Sequence, residues 1–176
     1  MYLRFLIAVC AFLSFSTAIA GEYPEKPVRL VVSWAPGGAV DVIARKVAQK
    51  LSDQTKGTFL VENKPGATGT IGTQQVIRSA PDGYSLLAMD NTFALLPFVF
   101  KKLPWEQEMP LIPIALVASQ PVVILVKGDA PYKDLAGLIA HAKTNPDTVT
   151  YGTGGPGSAP HFSAEAFQQA TGVKLM

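Results

Sequence analysis

Cysteine is all but missing from this chain: of 176 residues only Cys10 is one, and it lies in the apolar stretch at the N-terminus. No intrachain disulfide can form, and beyond residue 20 thiol catalysis and cysteine-ligated metal are excluded together. Histidine is nearly as scarce. His141 and His161 are the two present, and no metal-ligand spacing joins them. Charged residues make up 16% of the chain, 15 basic against 13 acidic, so nothing resembles the basic stripe of a nucleic-acid binder. After residue 20 no apolar run is long enough to span a membrane.

What is present begins with residues 1–20, where Arg4 is the only charge, Phe5 to Phe15 is apolar, and Ala18-Ile19-Ala20 has the small-x-small form of a signal peptidase site. This predicts a secretory leader cleaved after Ala20 and a periplasmic mature protein. Val9, bulky before Cys10, argues against a lipid anchor. Removing the leader leaves 156 residues with 14 basic and 13 acidic side chains, a net charge of +1. That length suits one ordinary domain. However, Val173-Lys174-Leu175-Met176 begins an apolar run after a helix-like stretch, so the chain reads as truncated at its C-terminal side.

The centre of the sequence is Ser33-Trp34-Ala35-Pro36-Gly37-Gly38-Ala39-Val40-Asp41, between the β-branched run Val28 to Val32 and a helical pattern from Val40 to Leu51. Val40, Ile43, Ala44, Val47, Ala48 and Leu51 make one apolar stripe, so this helix packs on a sheet. Pro36 fixes one φ, and Gly37 and Gly38 leave bare amides where a strand ends and a helix starts. Such a helix N-terminus carries unpaired donors and partial positive charge, which favours a bound anion such as a carboxylate. The device recurs: Phe59 to Glu62 runs through Asn63 to Gly72, with Gly66, Ala67, Thr68, Gly69 and Thr70 in the turn, into a helix from Thr73 to Ser79. In an open α/β sheet both loops leave the same strand ends, where ligands collect.

Further along, Ala80-Pro81-Asp82-Gly83 marks a turn and Tyr84 to Met89 a third strand, ending at Asp90-Asn91-Thr92, where Asn91 and Thr92 suit a helix cap and, standing where the first two loops do, are expected among the ligand contacts. Phe93 to Phe100 is apolar all round and predicts a buried segment. Leu111 to Ala118 and Pro121 to Val126 read as two strands of a crossing between lobes. Leu135 to Lys143 is helical. Val149-Thr150-Tyr151 then leads into a third glycine-rich loop, Gly152 to Pro160, and a helix from His161 to Thr171.

Taken in order, these markers resemble the extracytoplasmic solute receptors of tripartite tricarboxylate transporters, the Bug family. They are Tyr23-Pro24 with Lys26-Pro27-Val28-Arg29, Pro36-Gly37-Gly38 with Asp41, Val61 through Ala67 with Ile71-Gly72, Ala80 to Tyr84, Leu116-Val117-Ala118, and Tyr151-Gly152 with Gly155, Gly157, Ser158 and His161. The resemblance spans Tyr23 to Met176. It implies an α/β fold like type II periplasmic binding proteins, with lobe one over residues 21–118 and part of lobe two over 119–176. It also implies a monomer that captures a di- or tricarboxylate or related acid and delivers it to a membrane permease. Carried over, the ligand contacts fall on Trp34, Pro36, Gly37, Gly38 and Asp41, on Gly66 to Gly72, and on Gly155, Ser158 and His161. Trp34, Thr68, Thr70 and the stretch Trp105 to Pro110 depart from the family's usual residues.

No cofactor is expected. Gly66-x-x-Gly69-x-x-Gly72 lacks the dinucleotide order, and Pro36-Gly37-Gly38 lacks the lysine and hydroxyl of a phosphate loop. Two other readings remain at this level. Ser158 and His161, three apart at a helix start, allow an exported hydrolase, although a serine there is more commonly a cap and no orienting acid is evident. A truncated, non-functional remnant is the other.

Overall fold

The computed structural model describes residues 23–105 and 111–176. The expected leader, with its cleavage site and Cys10, and residues 106–110 lie outside the described residues. Val28–Val32 (β1) is the middle strand of a three-stranded parallel sheet, between Phe59–Asn63 (β2) and Ser85–Ala88 (β3). Val28 stands opposite Phe59 and Val32 opposite Asn63, while Arg29 meets Ser85 and Val32 meets Ala88. Successive strand residues point to opposite faces. Val31 and Val32 are both fully buried, so both faces of the central strand are covered, which is why its sequence is β-branched and apolar without alternation.

Helix α1, Ala39–Thr55, returns across the sheet and buries Ala44 and Ala48. Ala48 joins Val28 and Leu30 in a cluster that Val47, Phe59, Val61, Tyr84 and Leu86 flank. Lys56, in the left-handed conformation, ends the helix. A short 3-10 turn, Ala67–Gly69, precedes α2, Thr70–Ile77. Gly72 is required in α2, because a Cβ there would stand 2.8 Å from Ser33 Oγ and 3.0 Å from the Lys64 carbonyl. Because the three strands are parallel, the loops after β1, β2 and β3 leave at one end of the sheet.

Helix α3, Thr92–Val99, buries Leu96 completely but leaves Phe98 82% exposed. The expected all-round burial of Phe93 to Phe100 is thus corrected: one side of the helix packs and Pro97 and Phe98 face outwards. Leu111 to Ala118 and Pro121 to Val126 form no strands. They run without ladder partners among the described residues, and Ile112, Leu116 and Leu125 are at least 86% exposed. β-propensity needs a neighbouring strand to take its hydrogen bonds, and none is placed there.

Beyond them, α4, Leu135–Thr144, is capped by Asp134, whose Oδ1 accepts from the Gly137 amide at 2.7 Å. Helix α5, Ala159–Thr171, ends at Gly172 in the left-handed conformation. The chain then runs alongside Val149-Thr150-Tyr151: the Tyr151 amide donates to the Met176 carbonyl and the Met176 amide to the Val149 carbonyl, both at 2.9 Å. That alternation is a parallel ladder, so loop and helix again stand between paired extended segments.

Candidate functional site

The first loop is held from beneath by a carboxylate. Asp41 is 2% exposed and receives the Gly37 amide at 2.9 Å, Arg45 Nε at 3.0 Å, Arg45 Nη2 at 2.9 Å and Asn63 Nδ2 at 2.8 Å. Three of these are hydrogen bonds and the Arg45 Nη2 approach is an ion pair, so both carboxylate oxygens are engaged within the protein. The Arg45 guanidinium, then the Gly37 amide and Asn63, hold its pKa down at about 2. Asp41, an expected ligand contact, ties the Pro36-Gly37-Gly38 turn to α1 and β2. Asn63 also donates to the Trp34 carbonyl at 3.1 Å, so it fixes both sides of the loop. Sequence reasoning left Asn63 out of the site; the one signal was an amide side chain at the end of a half-buried strand.

Pro36, Gly37 and Gly38 are exposed, and Gly38 opens α1 with no side chain capping it. Gly69 opens α2 in the same way, and Gly66 and Ala67 are exposed beside it. Both helices therefore present first-turn amides that no side-chain oxygen caps, an arrangement suited to an anionic oxygen. Gly69 and Thr70 are buried instead of facing outwards: a Cβ at Gly69 would stand 2.6 Å from Met89 Cε, and Thr70 donates to the Ala67 carbonyl at 2.9 Å.

The third loop lies against the first two. Thr68 Oγ1 donates to the Pro156 carbonyl at 2.8 Å, a Cβ at Gly154 would lie 3.8 Å from Trp34 Cζ3, and one at Gly157 would strike Val99 Cγ1 at 2.5 Å. Trp34 thus stands between the first and third loops. Its Nε1 and Ser33 Oγ are buried with no hydrogen-bond partner among the described residues. Buried polar atoms are nearly always paired, so these two are exceptions among the described residues.

The amides of α5 differ from those of α1 and α2. Ser158 Oγ accepts from the His161 amide at 3.4 Å, and Thr92 Oγ1, fully buried, accepts from the Ala159 amide at 3.1 Å. His161 Nδ1 accepts from the Gly157 amide at 3.4 Å, and Gly155 keeps a φ of +108°. Asn91, exposed, precedes Thr92 without capping α3 through its side chain. The amides of Gly157, Ser158, Ala159 and His161 thus have partners within the protein, one of them Thr92 of α3. Ser158 is a buried cap and the His161 ring bonds elsewhere, so the nucleophile and base of a hydrolase are not assembled. Among the described residues no group of three or more His, Cys, Asp or Glu side chains is placed to hold a metal.

Comparison with known proteins points one way. The profile of the tripartite tricarboxylate transporter family receptor matches residues 43–176. A UPF0065 protein of Bordetella pertussis is 34% identical over 175 residues, which cover 99% of this chain and 54% of that protein. Among solved structures, the periplasmic binding protein BugD is 36% identical with a TM-score of 0.75, over 88% of this chain and 52% of its own. MatC from Rhodopseudomonas palustris with bound malate is 27% identical with a TM-score of 0.74, over 88% and 53%. An R. palustris protein with adipate is 28% identical with a TM-score of 0.75, over 88% and 52%. The chain spans about half the length of the relatives it matches.

Proposed function

The chain belongs to the tripartite tricarboxylate transporter receptor family, a family of solute-binding proteins and not of enzymes, and from that premise we propose that it binds a small dicarboxylate between its three glycine-rich loops. One carboxylate is held by the uncapped amides of Ala39 and Val40 at the start of α1 and of Gly66 and Ala67 in the turn that leads into α2. Trp34 Nε1 supplies a further donor. The third loop, from Gly155 to His161, closes over the ligand. The carrying observation is that the helix starts at Gly38 and Gly69 lack side-chain caps while the third loop meets Thr68 of the second loop and comes beside Trp34 of the first. Malate and adipate on two similar proteins support the ligand class.

A hydrogen bond to a charged group contributes about 1.5–3 kcal/mol, so three or four such donors suffice for micromolar affinity. Charged side chains are not required. The proposal continues with export by the 1–20 leader, a periplasmic site of action, residues 21–118 and 119–176 as the two lobes, a monomeric state, and delivery of the acid to a membrane permease. Among the described residues no helix is long and apolar enough to cross a membrane itself.

The test is thermal unfolding of the 176-residue chain with malate, adipate, citrate and the uncharged 1,4-butanediol. A ligand that binds only the folded state at about 100 times its Kd stabilises by about 2.7 kcal/mol. A rise with at least one acid and none with the diol is expected. No rise with any acid, or an equal rise with the diol, overturns the proposal.

A further inference from the structure

We infer that Thr68 is a latch between the two halves of the molecule and not a ligand contact: its hydroxyl sets how far the third loop stands from the first two. The inference rests on the proposed function, since it concerns closure over the same site.

A threonine hydroxyl has one proton to give. Thr68 gives it to the Pro156 carbonyl at 2.8 Å, across 88 residues of chain. That leaves Thr68 with lone pairs only, and a carboxylate needs donors. The carbonyl that receives it is presented by an unusual turn, with Pro156 between Gly155 at φ +108° and Gly157 at φ +81°.

The backbone of Thr68 carries a second, independent sign. It sits at φ 54° and ψ 38°, next to Ala67 at φ 45°. A β-branched residue in the left-handed region is an outlier, and such conformations persist only where the surroundings over-determine them. In this place the over-determining contact is the bond to Pro156. The shape of the loop after β2 and the position of the third loop are thus one variable. Nearby, Thr92 Oγ1 takes the Ala159 amide and Gly157 sits on Val99, so the whole front of α5 is seated on the sheet-bearing half by protein groups alone. The closed arrangement has its own fastening, and the ligand adds to it.

Trp34 gives the readout. The chain has two tryptophans, and Trp105 stacks on Phe93 with ring centroids 6.3 Å apart. In a Trp105→Phe background, Trp34 emission reports the third loop. Acrylamide quenching and emission wavelength are measured without ligand for the parent, Thr68→Val, Thr68→Ser and Thr68→Gly. Thr68→Val removes the proton and keeps the shape; Thr68→Gly removes the proton and relieves the backbone, so it folds even if the valine variant does not. The expected result is greater quenching and longer-wavelength emission in the valine and glycine variants, with the serine variant like the parent. Unchanged Trp34 emission in the glycine variant, or a serine variant that opens, overturns the latch. If malate or adipate binds, Thr68→Val weakens it by roughly twofold to tenfold, the worth of one neutral hydrogen bond. The quenching is read on ligand-free protein, so absence of acid binding defeats the proposed function and leaves the latch result standing.

Discussion

Asn63 Nδ2 stands 2.8 Å from Asp41 Oδ1, joining the last residue of β2 to the first turn of α1. Through this pair and the Asn63 bond to the Trp34 carbonyl, two adjacent strand ends share one polar anchor beneath the Pro36-Gly37-Gly38 turn. The loop that is expected to receive a ligand is therefore held by side chains that bond its backbone at Trp34 and Gly37.

Asp41 makes stability depend on acid pH. Its pKa is lowered to about 2 by Arg45, Gly37 and Asn63. A carboxylate depressed in the folded state contributes stability that is complete above its unfolded value of about 3.9 and is lost as pH falls through the folded one. Urea unfolding from pH 5 to pH 2 should show the parent losing stability between about pH 4 and 2. Asp41→Asn should be less stable at pH 5 and flatter across that window. Parallel curves for the two would contradict the assigned role.

Gly72→Ala tests the seat of α2 on the central strand. Its Cβ would meet Ser33 Oγ at 2.8 Å and Ser33 Cα at 3.2 Å, and the Lys64 carbonyl at 3.0 Å is backbone that cannot swing away. Overpacking of this kind costs about 1–3 kcal/mol. The urea midpoint should fall accordingly, and acid binding should weaken because the Gly66 to Thr70 turn moves with the helix.

The uneven burial of α3 gives a paired prediction. Leu96 is fully buried and Phe98 is 82% exposed. Leu96→Ala should cost about 2–5 kcal/mol through lost burial and a cavity. Phe98→Ala should stay within about 0.5 kcal/mol of the parent. Equal losses would mean that Phe98 packs against something in solution.

Ser158→Ala separates a cap from a nucleophile. Removing the oxygen that accepts from the His161 amide should cost about 1 kcal/mol of stability by chemical denaturation. Ester hydrolysis should be absent in both parent and variant. Turnover in the parent that disappears in the variant would restore the hydrolase reading.

Much of the site could be read from the sequence. The apolar run at Val28, the stripe from Val40 to Leu51 and the glycine-bearing turns after β1 and β2 are local patterns, and the structure forms each element within a few residues of the expected ends. Leu111 to Val126 failed for the opposite reason. The sequence there is β-branched and apolar, but a strand is completed by its neighbour, and the described residues supply none. Asn63 was missed because an asparagine near a strand end looks like an ordinary turn residue until its partner, 22 residues away, is placed beside it. The bond that Thr68 makes was not legible either, because its acceptor, the Pro156 carbonyl, lies 88 residues on.

Taken alone, the chain of residues settled what depends on neighbours within about one helical turn: where strands give way to glycine turns, where Ser158 and Asp134 cap helices, and the ordered markers that resemble a receptor family. Folding in three dimensions decided the use of each donor and acceptor. It turned Asp41 inwards, gave the Ala159 amide to Thr92 and spent the Thr68 proton on Pro156. Backbone preference is encoded residue by residue, whereas a hydrogen bond exists only where two distant groups are brought within about 3 Å of each other.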